Sequence, residues 1–144
     1  MTDGDAIMRS SVFDGVFPLS RVSAAYAPTP DAVRHARALA VDTCRAWNLP
    51  DGFAGLVELV VSELVGNSVR HAWTRVDVTL VRSPGRVNVA VRDYVSAPAR
   101  IGGPGGDGRG LLIVDAVATH WGCTLVQTPA GRGVGKVTWA TLTA

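Results

Sequence analysis

The sequence contains few of the residues that build metal clusters, redox centres or basic nucleic-acid surfaces. Its two cysteines, Cys44 and Cys123, lie far apart without CxxC or His spacing, so a zinc or redox site is not indicated. We expect both to be free thiols, buried in a reducing compartment. Lysine occurs only at Lys136, and the net charge of +2 comes from scattered arginines. The absence of a basic run argues against direct nucleic-acid binding.

Long apolar runs are also lacking. No segment approaches the roughly 18 apolar residues that span a bilayer, and the opening MTDGDAIMRS does not resemble a secretory leader. We therefore expect a soluble, cytoplasmic protein without a membrane partner. With 144 residues and 47% hydrophobic side chains, the chain can bury one core. We predict a flexible tail over residues 1–12 and one domain over residues 13–144.

The hydrophobic periodicity of the first half predicts a strand followed by two helices. The strand lies between Phe13 and Val22. The first helix starts at Thr29 and Pro30, a capping residue followed by proline, and ends near Asn48. The second helix begins at Asp51 and continues to the HA pair before Trp73. Its predicted apolar stripe consists of Leu56, Val57, Val60, Val61 and Leu64.

After Trp73 the period becomes alternating, which predicts a hairpin that turns at Ser83, Pro84 and Gly85. The glycine-rich segment from Tyr94 to Gly110 predicts a lid. A short helix in LLIVDAVATH and two strands in WGCTLVQT and KVTWATL complete the chain. This order predicts an α+β fold, a two-layer α/β sandwich in which about three helices cover one face of a mixed, mostly antiparallel sheet.

The second helix carries polar residues where its stripe should continue. Glu63, Asn67 and His71 are spaced four apart and share a face, with Glu63 and Asn67 within roughly 20° of Leu56. Burying a carboxylate and a carboxamide costs several kcal/mol unless a ligand, metal or water satisfies them, so a lined pocket is one interpretation. The other is a helix edge that dips into solvent.

Two further segments carry candidate binding residues. Asp93 ends the hairpin's second strand, where loops often hold sites, although an aspartate there can also simply form a turn. In GDGRGLLIV, Gly108 and Gly110 allow close approach of a ligand, and the amides that start the next helix suit phosphate oxygens. Arg109 adds a permanent charge, or is only an exposed loop arginine.

Several other motifs are matched only in part or are absent. GPGGDG at residues 103–108 matches GxGxxG, but it does not directly follow a strand and lacks the acidic partner of a dinucleotide site. Around Gly135 and Lys136 the required Ser or Thr and the following helix of a phosphate loop are missing. Neither GxSxG nor HExxH occurs, so hydrolase interpretations lack support.

Four motifs, SELVGNSVRHA, VRDY, GRGLLIVDAVATHWG and GKVTWATL, occur in an order that resembles the GHKL ATP-binding superfamily of gyrase, MutL and histidine-kinase catalytic domains. The implied architecture is the Bergerat-type ATP-binding fold. Within the superfamily the chain is most similar to the stand-alone anti-sigma-factor serine kinases, whose short chains carry ELVxNAxxHA, a VxD strand end, GRGL and a GKxxW strand. The resemblance extends from about Arg34 to Leu142.

The resemblance implies a site for ATP and Mg²⁺. Asn67 would coordinate the magnesium ion, Glu63 would be the general base, and Asp93 would accept the adenine amino group. The lid end and the helix amides over the phosphates would come from Gly108, Arg109, Gly110 and Leu111. The implied chemistry is phosphoryl transfer by positioning and charge neutralisation.

Two segments depart from the family pattern. After Asp93 the superfamily usually has DxGxG, whereas Val95 and Ala97 replace both glycines here, and we expect this to weaken nucleotide binding or alter the loop. In the closing strand Val137 takes the usual threonine position. Thr138 then faces the opposite side of the strand, so we leave it out of the predicted site.

We therefore predict a serine/threonine kinase that sequesters a sigma factor and phosphorylates a small antagonist protein. The alternative is a non-catalytic, nucleotide-gated module of the same fold that holds a protein partner. A detached histidine-kinase catalytic domain is disfavoured, because no helical pair with a phosphoaccepting histidine precedes the domain and His35 lies inside its first helix. Analogy with relatives of this size suggests a homodimer.

Overall fold

The computed structural model describes residues 20–95, 109–127 and 135–144, and the elements below refer to those ranges. The elements are, in chain order, β1 Ser20–Tyr26, α1 Pro30–Ala46, α2 Asp51–His71, β2 Val76–Ser83, β3 Arg86–Asp93, α3 Arg109–Val117, β4 His120–Val126 and β5 Gly135–Thr143. This order confirms the prediction from periodicity. The predicted tail, nearly all of the predicted lid and most of the closing turn lie outside the described residues, as does the early part of the first predicted strand.

The strands form one sheet in the order β1-β2-β3-β5-β4. All four pairings between these strands are antiparallel, so the described part of the expected mixed sheet contains no parallel pair. The β2–β3 hairpin closes at the Ser83–Arg86 pair, and Gly85 adopts a φ of 73° in the turn between them. Glycine suits this position because a left-handed backbone costs it no steric strain.

The helices cover one face of this sheet. Alternate residues of β2 and β3 are fully buried there, because successive side chains of a strand point to opposite faces. Helix α2 packs over β3 and its neighbours, α1 lies towards β1, and α3 lies towards β4. The fold is therefore the predicted two-layer α+β sandwich, and its core lies between α2 and the sheet. By length and composition alone α2 could also cross a membrane; here it is the central core helix.

Local sequence determines where α1 ends. The backbone N–H of Asn48 donates to the carbonyl of Arg45 at 3.0 Å, and the N–H of Leu49 donates to the carbonyl of Cys44 at 3.1 Å. Asn48 has a φ of 54°, so these bonds form a Schellman motif with asparagine at the left-handed position. Asparagine tolerates that conformation better than most residues, which explains the predicted stop near Asn48.

The apolar stripe of α2 differs from the prediction at one residue. Val57, Val60, Val61, Leu64 and Val65 are fully buried or nearly so, whereas Leu56 is 39% exposed. Including Leu56 in the stripe was therefore wrong. The stripe is centred further round the helix, and this moves the predicted polar pair from its middle to its border.

Candidate functional site

Helix α2 places Glu63 and Asn67 at one border of its buried stripe. Both side chains are half-buried, while His71, one turn further on, is exposed. The opposite border faces α1, where the Arg37 guanidinium donates to the Ser62 hydroxyl at 2.9 Å. Glu63 takes no part in the ion pairs of the described residues. The pair thus combines the two interpretations from the sequence, since it is partly buried and also reaches the edge of the helix.

Asp93 lies at the end of β3 and is the most buried acid of the described chain, with 0% exposure. Its Oδ1 accepts the Lys136 ammonium at 3.0 Å and the Val95 backbone N–H at 3.2 Å. Its Oδ2 accepts the Ser68 hydroxyl at 3.1 Å and lies 2.9 Å from the same ammonium nitrogen. A buried carboxylate needs such donors, because an uncompensated charge in the core is strongly unfavourable.

Lys136, the only lysine of the sequence, is 4% exposed at the start of β5. Its position follows from the sheet, because Asp93 and Lys136 are directly opposed in the β3–β5 register. Gly135 permits this close approach, since a Cβ there would lie 2.5 Å from the carbonyl oxygen of Asp93. Such contacts essentially do not occur between real atoms, so a side chain at position 135 would force the two strands apart.

Ser68 connects the helix to the sheet end. It follows Asn67 directly on α2 and is 2% exposed, with its hydroxyl on Asp93. In the motif that the helix resembles, this position is alanine. The Ser68–Asp93 bond fixes the Asn67 turn of α2 against the end of β3, so the two predicted parts of the site belong to one structural unit.

The start of α3 supplies backbone amides. The helix begins at Arg109, so the N–H groups of Arg109, Gly110 and Leu111 belong to its first turn and lack intrahelical acceptors. The Leu111 side chain is 1% exposed and packs in the core, so only its backbone can face a ligand. Gly108 lies outside the described residues. The assignment of these residues to phosphate binding stays a prediction.

The closing strand requires one correction. Thr138 is 2% exposed and lies on the same, helix-covered face as Lys136 and Asp93, whereas Val137 faces the uncovered side. Thr138 does face the side opposite Val137, as expected, but that side is the one that carries Asp93. The hydroxyl of Thr138 lies 3.9 Å from the Cys123 sulfur and has no described contact with Asp93.

A second polar cluster occupies the uncovered face behind the site. Arg75 Nε lies 2.7 Å from Asp77, whose other oxygen accepts a hydrogen bond from the Tyr94 hydroxyl. The Arg92 guanidinium lies over the Tyr94 ring, 4.7 Å from its centroid. Because Tyr94 follows Asp93 directly, this cluster and the contacts of Asp93 hold the end of β3 on opposite faces of the sheet.

Two open hollows are lined by described residues. One, of about 520 Å³, lies on the uncovered face across β1, β2, β3 and β5. The other, of about 420 Å³, lies between the last turns of α1 and the first turns of α2. Neither is lined by Glu63, Asn67 or Asp93, so neither belongs to the predicted site.

Sequence reasoning missed both side-chain donors to Asp93. Alternation along β5 places Lys136 on a definite face, but which face meets Asp93 depends on the register between strands that are distant in sequence. Ser68 could not be predicted as a donor, because a small serine fits among the apolar residues of α2 without disturbing their pattern. The usable signal was that the only lysine of an arginine-rich chain stands next to a glycine at a strand start.

The family model of the histidine kinase-like ATPase domain matches residues 26–139. This match covers most of the chain and includes every element from the end of β1 to the middle of β5. No curated protein sequence matches the chain significantly. The chain therefore belongs to the histidine kinase-like ATPase domain family, a class of ATP-binding domains.

The residues present fit the two ends of ATP differently. The Asn67 amide oxygen is a ligand type that Mg²⁺ accepts, with the Glu63 carboxylate one turn away. Within residues 20–95, 109–127 and 135–144 no group of three or more His, Cys, Asp or Glu side chains comes together. At the other end, the oxygens of Asp93 already carry donors from within the chain, so an adenine amino group would compete with the Lys136 ammonium there.

Proposed function

We propose that this chain is an ATP-binding regulatory protein that acts as a serine/threonine kinase on a small partner protein. The observation that carries the proposal is the pair of Glu63 and Asn67, one helical turn apart and half-buried at the border of α2. Family membership supports ATP as the phosphoryl donor. The predicted partners are a sigma factor and an antagonist protein, and the predicted oligomeric state is a homodimer.

In this proposal each residue has a separate task. Asn67 supplies an oxygen ligand to the magnesium ion that neutralises the phosphates. Glu63 accepts the proton of the attacking serine hydroxyl, a contribution worth about 10²–10⁴-fold in rate for a positioned general base. The first-turn amides of α3 provide N–H groups and the positive end of the helix dipole for phosphate oxygens.

Calorimetric titration with ATP and ADP, with and without magnesium, tests the binding half of the proposal. We expect magnesium to tighten ATP binding to the native protein, and Asn67→Ala to remove at least about tenfold of that gain, or about 1.4 kcal/mol. Glu58→Ala is the matched control, because Glu58 is a half-buried acid on the same helix but lies near Cys44. An Asn67→Ala variant that keeps the full magnesium dependence would contradict the assignment.

Transfer of labelled phosphate from ATP to purified candidate antagonist proteins tests the catalytic half. Glu63→Gln should keep nucleotide affinity within about twofold but lose about 10²-fold or more of the transfer rate, because the proton acceptor is gone. Nucleotide binding without transfer by the native protein to any candidate would reject the kinase.

The second candidate function is a non-catalytic, nucleotide-gated module of the same fold that holds its protein partner. The specific observation in its favour is the occupied Asp93 carboxylate, which opposes adenine binding. In that case a complex with the partner would form equally well with Glu63→Ala and with the native protein.

A further inference from the structure

Three donor groups surround the buried carboxylate of Asp93. An ionised carboxylate offers about four lone-pair sites. Two donors approach Oδ1, at 3.0 Å from Lys136 and 3.2 Å from the Val95 N–H. Oδ2 accepts the Ser68 hydroxyl at 3.1 Å, and the same Lys136 ammonium nitrogen lies 2.9 Å from it. Because the Lys136 ammonium lies within 3.0 Å of both oxygens, a ligand that brings a further donor to this carboxylate competes with it.

Of these groups, Lys136 is the one whose place a ligand can take. The Val95 N–H is fixed by the chain two residues after Asp93, and Ser68 is held by α2. Lys136 reaches the carboxylate through a flexible side chain, but its ammonium is 4% exposed and loses its only described charge partner on leaving. The β3–β5 register and Gly135 build this contact into the fold, so displacement of the ammonium opposes binding.

Purine bases differ in what they would bring to this position. Adenine carries an amino donor at C6, which competes with the ammonium for Asp93. Hypoxanthine carries a carbonyl oxygen at C6, which can accept a hydrogen bond from that ammonium. A carboxylate alone accepts from the first and repels the second, whereas a carboxylate covered by an ammonium loses this preference.

We propose that Lys136 is a specificity-determining residue, a built-in competitor at Asp93 that weakens binding of adenine nucleotides and lowers discrimination against 6-oxopurine nucleotides. This inference rests on the proposed nucleotide-binding function and concerns only its base-recognition end. In this proposal Lys136 sets the affinity for the base without any change in the residues on the phosphate side.

The test is calorimetric titration of the full chain with ATP and with inosine triphosphate, both with magnesium. The variants are Lys136→Met, which removes the ammonium, and Lys136→Arg, which keeps a permanent cation with donors for a carboxylate. We expect Lys136→Met to bind ATP at least about tenfold more tightly than the native protein and to widen the ATP-to-ITP affinity ratio at least about tenfold. Lys136→Arg should keep both values within about threefold of the native ones.

The ratio of the ATP and ITP affinities separates competition by Lys136 from a purely structural role of this residue, because a general loosening of the site would change both affinities together. Circular dichroism checks folding, since Lys136→Met leaves a buried carboxylate with less compensation. Should that variant not fold, Lys136→Gln keeps a neutral donor for Asp93 and should shift the same ratio in the same direction, by at least about threefold.

Equal or weaker ATP binding by folded Lys136→Met or Lys136→Gln, with an unchanged ratio, overturns the competitor role but leaves nucleotide binding standing. No binding of either nucleotide to any folded variant overturns the competitor role and the proposed function together. The two failures are thus distinguishable in one series of titrations.

Discussion

At the scale of single residues, the end of β3 is held by side chains on both faces of the sheet. Asp93 points to the covered face and binds Lys136 and Ser68, while Tyr94 points to the uncovered face and binds Asp77. The hydrogen bond to Asp77 raises the pKa of the Tyr94 hydroxyl, with burial and the negative charge of Asp77 adding to the effect. The neutral phenol is therefore the form that stabilises the fold.

Replacing Tyr94 by phenylalanine tests this contact. The Tyr94–Asp77 hydrogen bond raises the pKa of Tyr94 in the folded state. Its contribution to the free energy of unfolding is therefore fully present below the unfolded tyrosine pKa of about 10, and it is lost as the pH rises beyond that value. We expect Tyr94→Phe to lower the free energy of unfolding by less than about 1 kcal/mol at pH 7, since solvent screens the pair. The deficit should shrink above about pH 10, where the phenol of the unfolded chain ionises first and that of the folded chain follows at higher pH.

Urea denaturation at a series of pH values measures both effects. Tyr26→Phe is the control, because burial rather than a carboxylate partner raises the pKa of Tyr26. A Tyr94→Phe deficit that stays constant beyond pH 11 would contradict the hydrogen-bond explanation.

At the scale of secondary-structure elements, the β4–β5 pair depends on a glycine under an aromatic ring. Gly122 and Trp139 are directly opposed, and a Cβ at position 122 would lie 2.7 Å from the Trp139 ring carbon Cζ2. The indole also donates to Thr124 at 3.4 Å on the same strand. The ring therefore lies against the β4 backbone and joins the edge strand to the sheet.

Gly122→Ala should destabilise the protein by about 1–3 kcal/mol, because the added methyl group forces the Trp139 ring away from β4. Gly55→Ala is the matched control, since a Cβ in that turn of α2 meets no atom within 4 Å. That variant should be stabilised by about 0.5–1 kcal/mol, the usual gain from replacing glycine in a helix. Chemical denaturation gives both values, and a neutral Gly122→Ala would show that the ring moves freely.

At the scale of the whole molecule, one core joins α1, α2 and the covered face of the sheet. Cys44 on α1 belongs to this core and is 1% exposed, whereas Cys123 on β4 is half-buried. Burial, together with the charge of Glu58, raises the pKa of the Cys44 thiol to about 11. The expectation of two buried thiols is thus confirmed for Cys44 and only in part for Cys123.

Cys44 can report on opening of the whole domain. In a Cys123→Ser background, Cys44 should react with iodoacetamide at pH 8 at least about 100-fold more slowly than after unfolding in urea, because the thiolate is the reactive form and the native thiol is buried and protonated. A Cys44→Ser background should leave the faster reaction of Cys123. Mass spectrometry over time measures both, and equal rates for the two native thiols would contradict a single closed core.

The sequence by itself determined the order of elements, the limits of α1 and α2 and the positions of Glu63, Asn67 and Asp93 along them. These features depend on contacts within a few residues, such as Pro30 at a helix start, Asn48 at a helix end and alternation along β2 and β3. Such local signals can be read before any partner is known.

Only the tertiary structure decided what surrounds those residues. Leu56 lies outside the buried stripe because the positions of α1 and the sheet determine which side of α2 is covered. Thr138 lies on the same face as Asp93, and Lys136 contacts the Asp93 carboxylate, because β5 pairs with β3. Asp93 and Lys136 are 43 residues apart in the sequence. Periodicity determines which residues of a strand share a face, but the pairing register decides what that face meets.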